Sequence, residues 1–297
     1  MGQFSAPTVL VDALTAAAAG HRPVAGGTDL VVGTRQGKWT LPPDLVAIDR
    51  IAELRGIAET ADGLRIGATT SHAELAANPA IRERWTAIAD AASIVGSPAT
   101  RHLGTLGGNV ANASPAAETS GPLLCFDASV ELRSTSGSRR VLLTELFSGP
   151  GRTSIASNEL IVAIEVPELA GAGSCYVRLE FRRQMEIAVV GATAVVRLEG
   201  GVIREARIAI TALAPTVRRV AAAESALVGT DGGPEAAAEA GRLAAEAATP
   251  ISDVRASLDY RKAMAAVVVR RAVTGAIARA RGDSVAIPAS ASLFGAS

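Results

Sequence analysis

Aromatic residues are scarce in this chain: five Phe, two Tyr and two Trp make up 3% of its 297 residues. Stacking platforms for single-stranded nucleic acid need more rings than that. An excess of either charge is also missing, since 29 Lys and Arg balance 29 Asp and Glu. A basic surface for a nucleic-acid partner is thereby disfavoured. The two cysteines, Cys125 and Cys175, stand outside any CxxC spacing. The chain alone therefore cannot ligate a structural zinc or an iron–sulfur cluster through cysteine, and two reduced thiols in a cytoplasmic protein are the expectation. His21, His72 and His102 are the only histidines, and none has metal-ligand spacing. The first residues lack a charged region followed by an apolar one, so no secretory signal is expected. No apolar run has the length that crosses a bilayer. A soluble, cytoplasmic protein is predicted, with no nucleic-acid partner and no membrane span.

What is present suits an ordered fold: 48% of residues are hydrophobic and 20% charged. A chain of this length is expected to divide into two or three subdomains. Residues 9–19 have helical apolar spacing, and Gly20-His21-Arg22-Pro23 leads into a short strand at 24–25. A helix over 29–37 and a strand over 45–49 follow, with a boundary near 55. The next part opens with a strand at 64–69, and Ser71 with Glu74 forms an S-x-x-E capping box that should start a helix. One helix is predicted over 79–95, with Ile81, Trp85, Ile88 and Ala92 near one face. Strands are predicted at 128–133 and 160–166, and the best linker is 167–173. The last part carries strand signals at 174–181, 188–198 and 202–213, with Gly200-Gly201 as a hairpin turn. Helices are predicted at 218–227, 234–247 and 258–281, followed by a small-residue tail. Strands and then helices in succession describe an α+β domain.

Two glycine turns carry the chemistry. Residues 25–30, Ala-Gly-Gly-Thr-Asp-Leu, are read either as an ordinary strand-to-helix connection or as a phosphate grip at a helix N-terminus, with Thr28 as a further donor. Asp29 also suits a helix start. Residues 105–118 are richer in ligand-binding types: Thr105, Gly107-Gly108, Asn109, Asn112 and Ser114. Glycine lets backbone approach a ligand closely, and successive amides in such a turn form an anion-binding concavity. The alternative is a structural loop whose Asn and Ser bond their own backbone. A loop this long without its own helix or strand is usually functional. Two such loops suggest one phosphate-bearing cofactor gripped from two sides. Tyr176 and Arg178 could reach a ligand lying between domains. No Ser–His–Asp, Cys–His or close carboxylate pair assembles, which fits redox through a bound cofactor.

At these residues the chain resembles the FAD-binding (medium) subunits of molybdenum hydroxylases, the group of xanthine dehydrogenases and carbon monoxide dehydrogenases. The resemblance runs through AGGTDL at 25–30, IGATT at 66–70, SPATRHLGTLGGNVANASPAAET at 97–119 and RRQMEIAVVGA at 182–192. It implies a vanillyl-alcohol-oxidase-type FAD-binding domain of two α/β subdomains, at 1–55 and 56–170. A C-terminal α+β domain of a three-stranded sheet and helices would follow at 174–283, with a tail at 284–297. FAD would lie extended between the domains. The resemblance assigns Pro23, Val24, Ala25, Gly26, Gly27, Thr28, Asp29 and Leu30 to the pyrophosphate. It assigns Thr105, Gly107, Gly108, Asn109 and Ser114 to the second FAD loop, Val95 to an apolar position near the flavin, and Glu118 to the ribityl or ribose end. Arg178 stands where many members have lysine near the isoalloxazine, Glu118 where the usual residue is Asp, and Glu186 replaces another Asp. Thr28-Asp29 is closer to members oxidising xanthine, aldehydes or N-heterocycles than to those oxidising CO, which typically carry His-Ser there. No residue is assigned as catalytic and none as a metal ligand.

The implied role is an oxidoreductase subunit that relays electrons through FAD. A molybdenum-cofactor large subunit and a small subunit with two 2Fe–2S clusters would be its partners, in a dimer of heterotrimers. The final acceptor would be external: NAD, a quinone or another. The rival readings are a self-contained flavin oxidoreductase of the same fold and a non-catalytic nucleotide-binding assembly protein.

Overall fold

Three short parallel strands open the fold, in the order Phe4–Ser5, Leu45–Ala47, Arg22–Val24. Parallel neighbours need crossovers, which the helices Leu10–Ala18 and Thr28–Arg35 provide. The first helix turns Leu10, Ala13, Leu14 and Ala17 inward against Val46, Ile48, Ile51 and Leu54, as its apolar spacing predicts. In this computed structural model the described residues are 2–182 and 185–290. Arg183 and Gln184 of the 182–192 run, and residues 291–297 of the expected tail, lie outside them.

Contacts divide the chain into two units: Met1–Glu74, Pro98–Ala113 and Asp127–Pro167 form one; Leu75–Ser97, Ser114–Phe126 and Glu168–Ser297 form the other. The first unit holds the parallel sheet and a five-stranded antiparallel sheet, ordered Ile57–Thr60, Gly63–Gly67, Leu160–Pro167, Ser129–Ser134, Gly137–Leu142. Its two outer strands are absent from the sequence reading because both are largely exposed edges without a buried alternation. The segments 75–97 and 114–126, expected inside 56–170, group instead with the C-terminal residues. Sequence continuity does not limit which core a helix packs into.

The second unit is built on an antiparallel sheet ordered Ala172–Leu179, Val190–Glu199, Val202–Thr211, Arg218–Arg219. It has four strands rather than the expected three, because residues 218–219 pair with Ala209 and Ile210 instead of starting a helix. Gly200 and Gly201, with φ of 58° and 81°, make the left-handed turn between two long strands. The helices Ala221–Leu227, Pro234–Ala247 and Leu258–Ala280 share a core with alternate strand residues such as Cys175, Val177, Ala192 and Ala194. Close packing depends on Gly173, where a Cβ would overlap the Ala276 carbonyl oxygen.

The opposite side chains of the strand Ala172–Leu179 meet other elements of the same unit. Tyr176 packs with Ala87, Ala91 and Ile94. The Asp90 carboxylate accepts from Arg279 Nη1 at 2.6 Å and Nη2 at 3.0 Å, from the Tyr176 amide at 3.1 Å and from the Ala289 amide at 2.9 Å. The single helix predicted over 79–95 is two, Pro79–Arg84 and Thr86–Ile94. The break is at Trp85 (φ −120°, ψ 45°), whose ring is wholly buried. Burial of the indole and the Thr86 hydroxyl's bond to the Ser174 carbonyl, at 2.6 Å, override helical continuity.

Candidate functional site

Three sequence motifs converge within the first unit. The strand Gly63–Gly67 runs into residues 68–70, whose carbonyls receive the later glycine loop: Gly107 N–H donates to Ala68 O at 2.9 Å and Leu106 N–H to Thr70 O at 2.9 Å. Ser71 then starts the helix His72–Ala77 through the predicted capping box. Its amide donates to Glu74 Oε2 at 2.7 Å, and the Glu74 amide donates to Ser71 Oγ at 3.2 Å. Burial alone would raise the Glu74 carboxyl, but the Ser71 hydroxyl and amide, with Arg55 and His102 nearby, hold it below the usual range. The His72 amide donates to the Gly104 carbonyl at 3.1 Å, and Ser71 and Thr105 form a β-bridge.

The early turn packs against the same segment. A Cβ on Gly26 would overlap the Leu103 carbonyl oxygen, so residue 26 must be glycine for the two loops to meet. Thr28 Oγ1 lies 3.6 Å from where a Cβ on Gly104 would stand. Gly27 adopts a left-handed φ of 67° at the start of the helix Thr28–Arg35. The N-cap residue Gly27 makes no side-chain cap, and among the described residues the amides of the first turn, at Thr28, Asp29 and Leu30, are left open as helix starts leave them. Pro23 and Val24 end the preceding strand, Ala25 is half-buried beside them, and Asp29 is exposed.

The later loop behaves differently from its sequence reading. It is not free of secondary structure: Leu106–Asn112 is a short helix capped by Thr105, whose hydroxyl accepts from Gly108 N–H at 3.1 Å. Asn109 N–H donates to Thr105 O at 2.9 Å. The amides of residues 106–109 are thus all bonded within the chain, and the concavity of open N–H groups expected there is absent. Gly107 is required by the protein itself, because a Cβ would stand 2.7 Å from both Cβ and O of Ala68. Gly108 is different: a Cβ there meets only Thr105 Oγ1, at 2.9 Å. The open donors belong to the first turn, and the bare approach surface is Gly108.

The remaining expected residues lie in the other unit. Val95 ends the helix Thr86–Ile94, half-buried. Ser114 Oγ accepts from the Ala116 amide at 3.2 Å, a local turn. Glu118 and Arg178, expected as two separate cofactor contacts, are joined as one buried ion pair at 2.6 Å, with Glu180 on the other guanidinium nitrogen. Burial pushes the Glu118 carboxyl up, and Arg178 opposes that shift. The Arg178 amide donates to Ser290 Oγ at 2.9 Å. Among the described residues no group of three or more His, Cys, Asp or Glu could hold a metal, and no helix is long and apolar enough to cross a membrane.

Residues 2–169 match the family model described as the FAD binding domain in molybdopterin dehydrogenase, and 176–276 match the CO dehydrogenase flavoprotein C-terminal domain. The chain belongs to this family of molybdopterin dehydrogenase FAD-binding subunits. It is an oxidoreductase subunit of the molybdenum hydroxylase group. It is 34% identical over 257 residues to the carbon monoxide dehydrogenase medium chain of Hydrogenophaga pseudoflava, covering 86% of this chain and 89% of that one. The xanthine dehydrogenase FAD-binding subunit of Escherichia coli O157:H7 is 30% identical over 262 residues, with coverage of 87% and 89%. The solved carbon monoxide dehydrogenase of H. pseudoflava superposes with a TM-score of 0.89 at 33% identity, covering 94% of this chain and 98% of its counterpart. For an FAD-binding subunit the early turn has the donor set that a diphosphate needs: uncapped amides, a hydroxyl and a left-handed glycine.

One residue at this convergence escaped the sequence reading. His72 is buried at 2% exposure, and burial with the nearby Arg101 lowers its pKa to about 4. The only signal for it was its position, directly after the IGATT strand and the first residue of the capping box.

Proposed function

We propose that this chain is the FAD-carrying electron-transfer subunit of a heteromeric molybdenum hydroxylase. The observation that carries the reading is the meeting of the two glycine turns at Leu103–Gly104, with the uncapped start of the helix Thr28–Arg35 beside it. The backbone amides of Thr28–Leu30 and the Thr28 hydroxyl hold the diphosphate, and Gly108 gives the dinucleotide room to approach. Glu118 and Arg178 act toward FAD as a charge pair rather than as independent donors. FAD, when bound, accepts electrons and hands them on.

Those electrons come from two 2Fe–2S clusters on a small subunit, after substrate oxidation at a molybdenum cofactor on a large subunit, in a dimer of heterotrimers. They leave to an external acceptor such as NAD or a quinone. Thr28-Asp29 in the first turn supports a complex oxidising xanthine, an aldehyde or an N-heterocycle rather than CO.

The test is reconstitution of the purified full chain with FAD, alone and with its partner subunits. The chain alone should turn yellow and oxidise none of these substrates. The complex should bleach its flavin absorbance on addition of an N-heterocycle or aldehyde. A colourless chain under all conditions would favour an assembly protein; turnover by the chain alone would favour a self-contained flavoenzyme.

A further inference from the structure

We propose that Glu118 and Glu180 form a one-proton site on Arg178. The two carboxylates hold a single proton between them in the folded chain, before any cofactor binds. Arg178 stands near the end of the strand Ala172–Leu179 with its side chain wholly buried. Each terminal nitrogen of its guanidinium takes a different carboxylate: Nη1 donates to Glu118 Oε1 at 2.6 Å and Nη2 to Glu180 Oε2. Nε is buried without a partner among the described residues. Neither carboxylate therefore makes the two-pronged contact of a strong arginine pair.

The charges at this centre do not balance. One guanidinium faces two carboxylates, and among the described residues no other cation pairs with either of them. Both carboxylates are largely shut from water, with side-chain exposures of 8% for Glu118 and 19% for Glu180. An unbalanced buried charge is costly, and the usual outcome is that the group takes up a proton instead. Two carboxylates crowded into one site also disfavour each other's ionisation, so one gives way first. Glu118 is the deeper of the two. Burial pushes its carboxyl up against the pull of Arg178, and Glu180 adds to the shift.

The other described groups facing the centre supply no balancing charge. On the same strand, burial and then Glu118 push the Tyr176 phenol well above its ordinary value, so it stays neutral. After the strand, Glu186 offers Arg178 only its carbonyl, at 3.4 Å, while its carboxylate pairs with Arg182 at 3.1 Å. The neighbouring strand places Gly191, without a side chain, opposite Arg178. The C-terminal segment contributes the Ser290 hydroxyl, which accepts from the Arg178 amide at 2.9 Å. A single proton on the two carboxylates leaves Arg178 with one net counter-charge, which keeps the charge pair intact. A ligand bringing negative charge beside the centre would hold the proton in place, and a cation would expel it.

The experiment compares thermal melts of the full chain stripped of flavin, wild type against Glu118→Gln, between about pH 4 and 8. A carboxyl raised in the fold contributes stability below its unfolded pKa and loses it as pH rises through the folded value. Gln mimics the protonated acid and does not titrate. The Tm of Glu118→Gln should therefore gain on wild type as pH rises, by about 2–4 °C or more at the alkaline end. An ordinary ion pair gives the reverse, a variant that falls furthest behind at neutral pH. A flat or falling difference would overturn the site. Glu180→Gln tests the sharing: with one carboxylate left on the guanidinium, adding Glu118→Gln should now cost most at neutral pH. The same upward trend in that background would overturn the shared proton. Should Glu118→Gln fail to fold, infrared spectroscopy of wild type decides. A carboxylic C=O band that shifts with isotope-labelled glutamate should be present at neutral pH, and its absence would overturn the proposal. The label separates Glu118 from Asp90, whose carboxyl burial also pushes up.

Discussion

Gly107 and Gly108 are adjacent in sequence, yet the structure asks different things of them. A side chain at 107 strikes Ala68 within the fold, whereas one at 108 meets only the Thr105 hydroxyl. Gly107→Ala should therefore destabilise the apo protein by about 1–3 kcal/mol through overpacking, visible as a lowered Tm whether or not FAD is present. Gly108→Val should leave a folded chain with flavin content reduced about tenfold or more, read from the ratio of flavin to protein absorbance. Normal flavin content in folded Gly108→Val would sink the idea that this surface faces the cofactor. The pattern of glycines was readable in the sequence. Which glycine serves packing and which serves a ligand was not, because the answer lies in Ala68 and Leu103, far along the chain from their partners.

Among the secondary elements, starts and stops follow local chemistry. The Ser71–Glu74 box forms as its spacing predicts, and Ser71→Ala should cost about 1 kcal/mol. Because Glu74 titrates below the usual carboxylate range in the fold, its contribution is present above the ordinary carboxylate pKa. It is lost as pH falls through the lower folded value. The Ser71→Ala difference, measured by denaturant titration, should thus shrink in acid; a difference that grows in acid would contradict this account. Helix Pro234–Ala247 is legible to the residue from its Pro and its small-residue face. The helix Leu106–Asn112 was not, since Gly-Gly-Asn has poor helix propensity. It forms because Thr105 caps it and the carbonyls of Ala68 and Thr70 hold its first amides.

Over the whole molecule, contacts distant in sequence decide which segments share a core. Asp90 ties its helix to the strand Ala172–Leu179, to Arg279 at the end of the long helix and to Ala289 beyond it. Removing one member of a buried pair leaves an uncompensated charge, so Asp90→Ala should cost about 3 kcal/mol or more. A Tm drop of roughly 6 °C or more is the expected reading. The double variant Asp90→Leu with Arg279→Met should recover part of that loss, and no recovery would argue against the pair as the cause. The sequence by itself determined the neutral composition, the long amphipathic helices, the hairpin at Gly200-Gly201 and the order of the cofactor motifs, since each is written in spacing of a few residues. Tertiary structure alone decided that the later glycine loop has its amides occupied while the earlier turn has them open. It alone joined Glu118 to Arg178. Hydrogen-bond capacity is shared among groups brought together from distant parts of the chain, and only folding determines which of them remains open for a ligand.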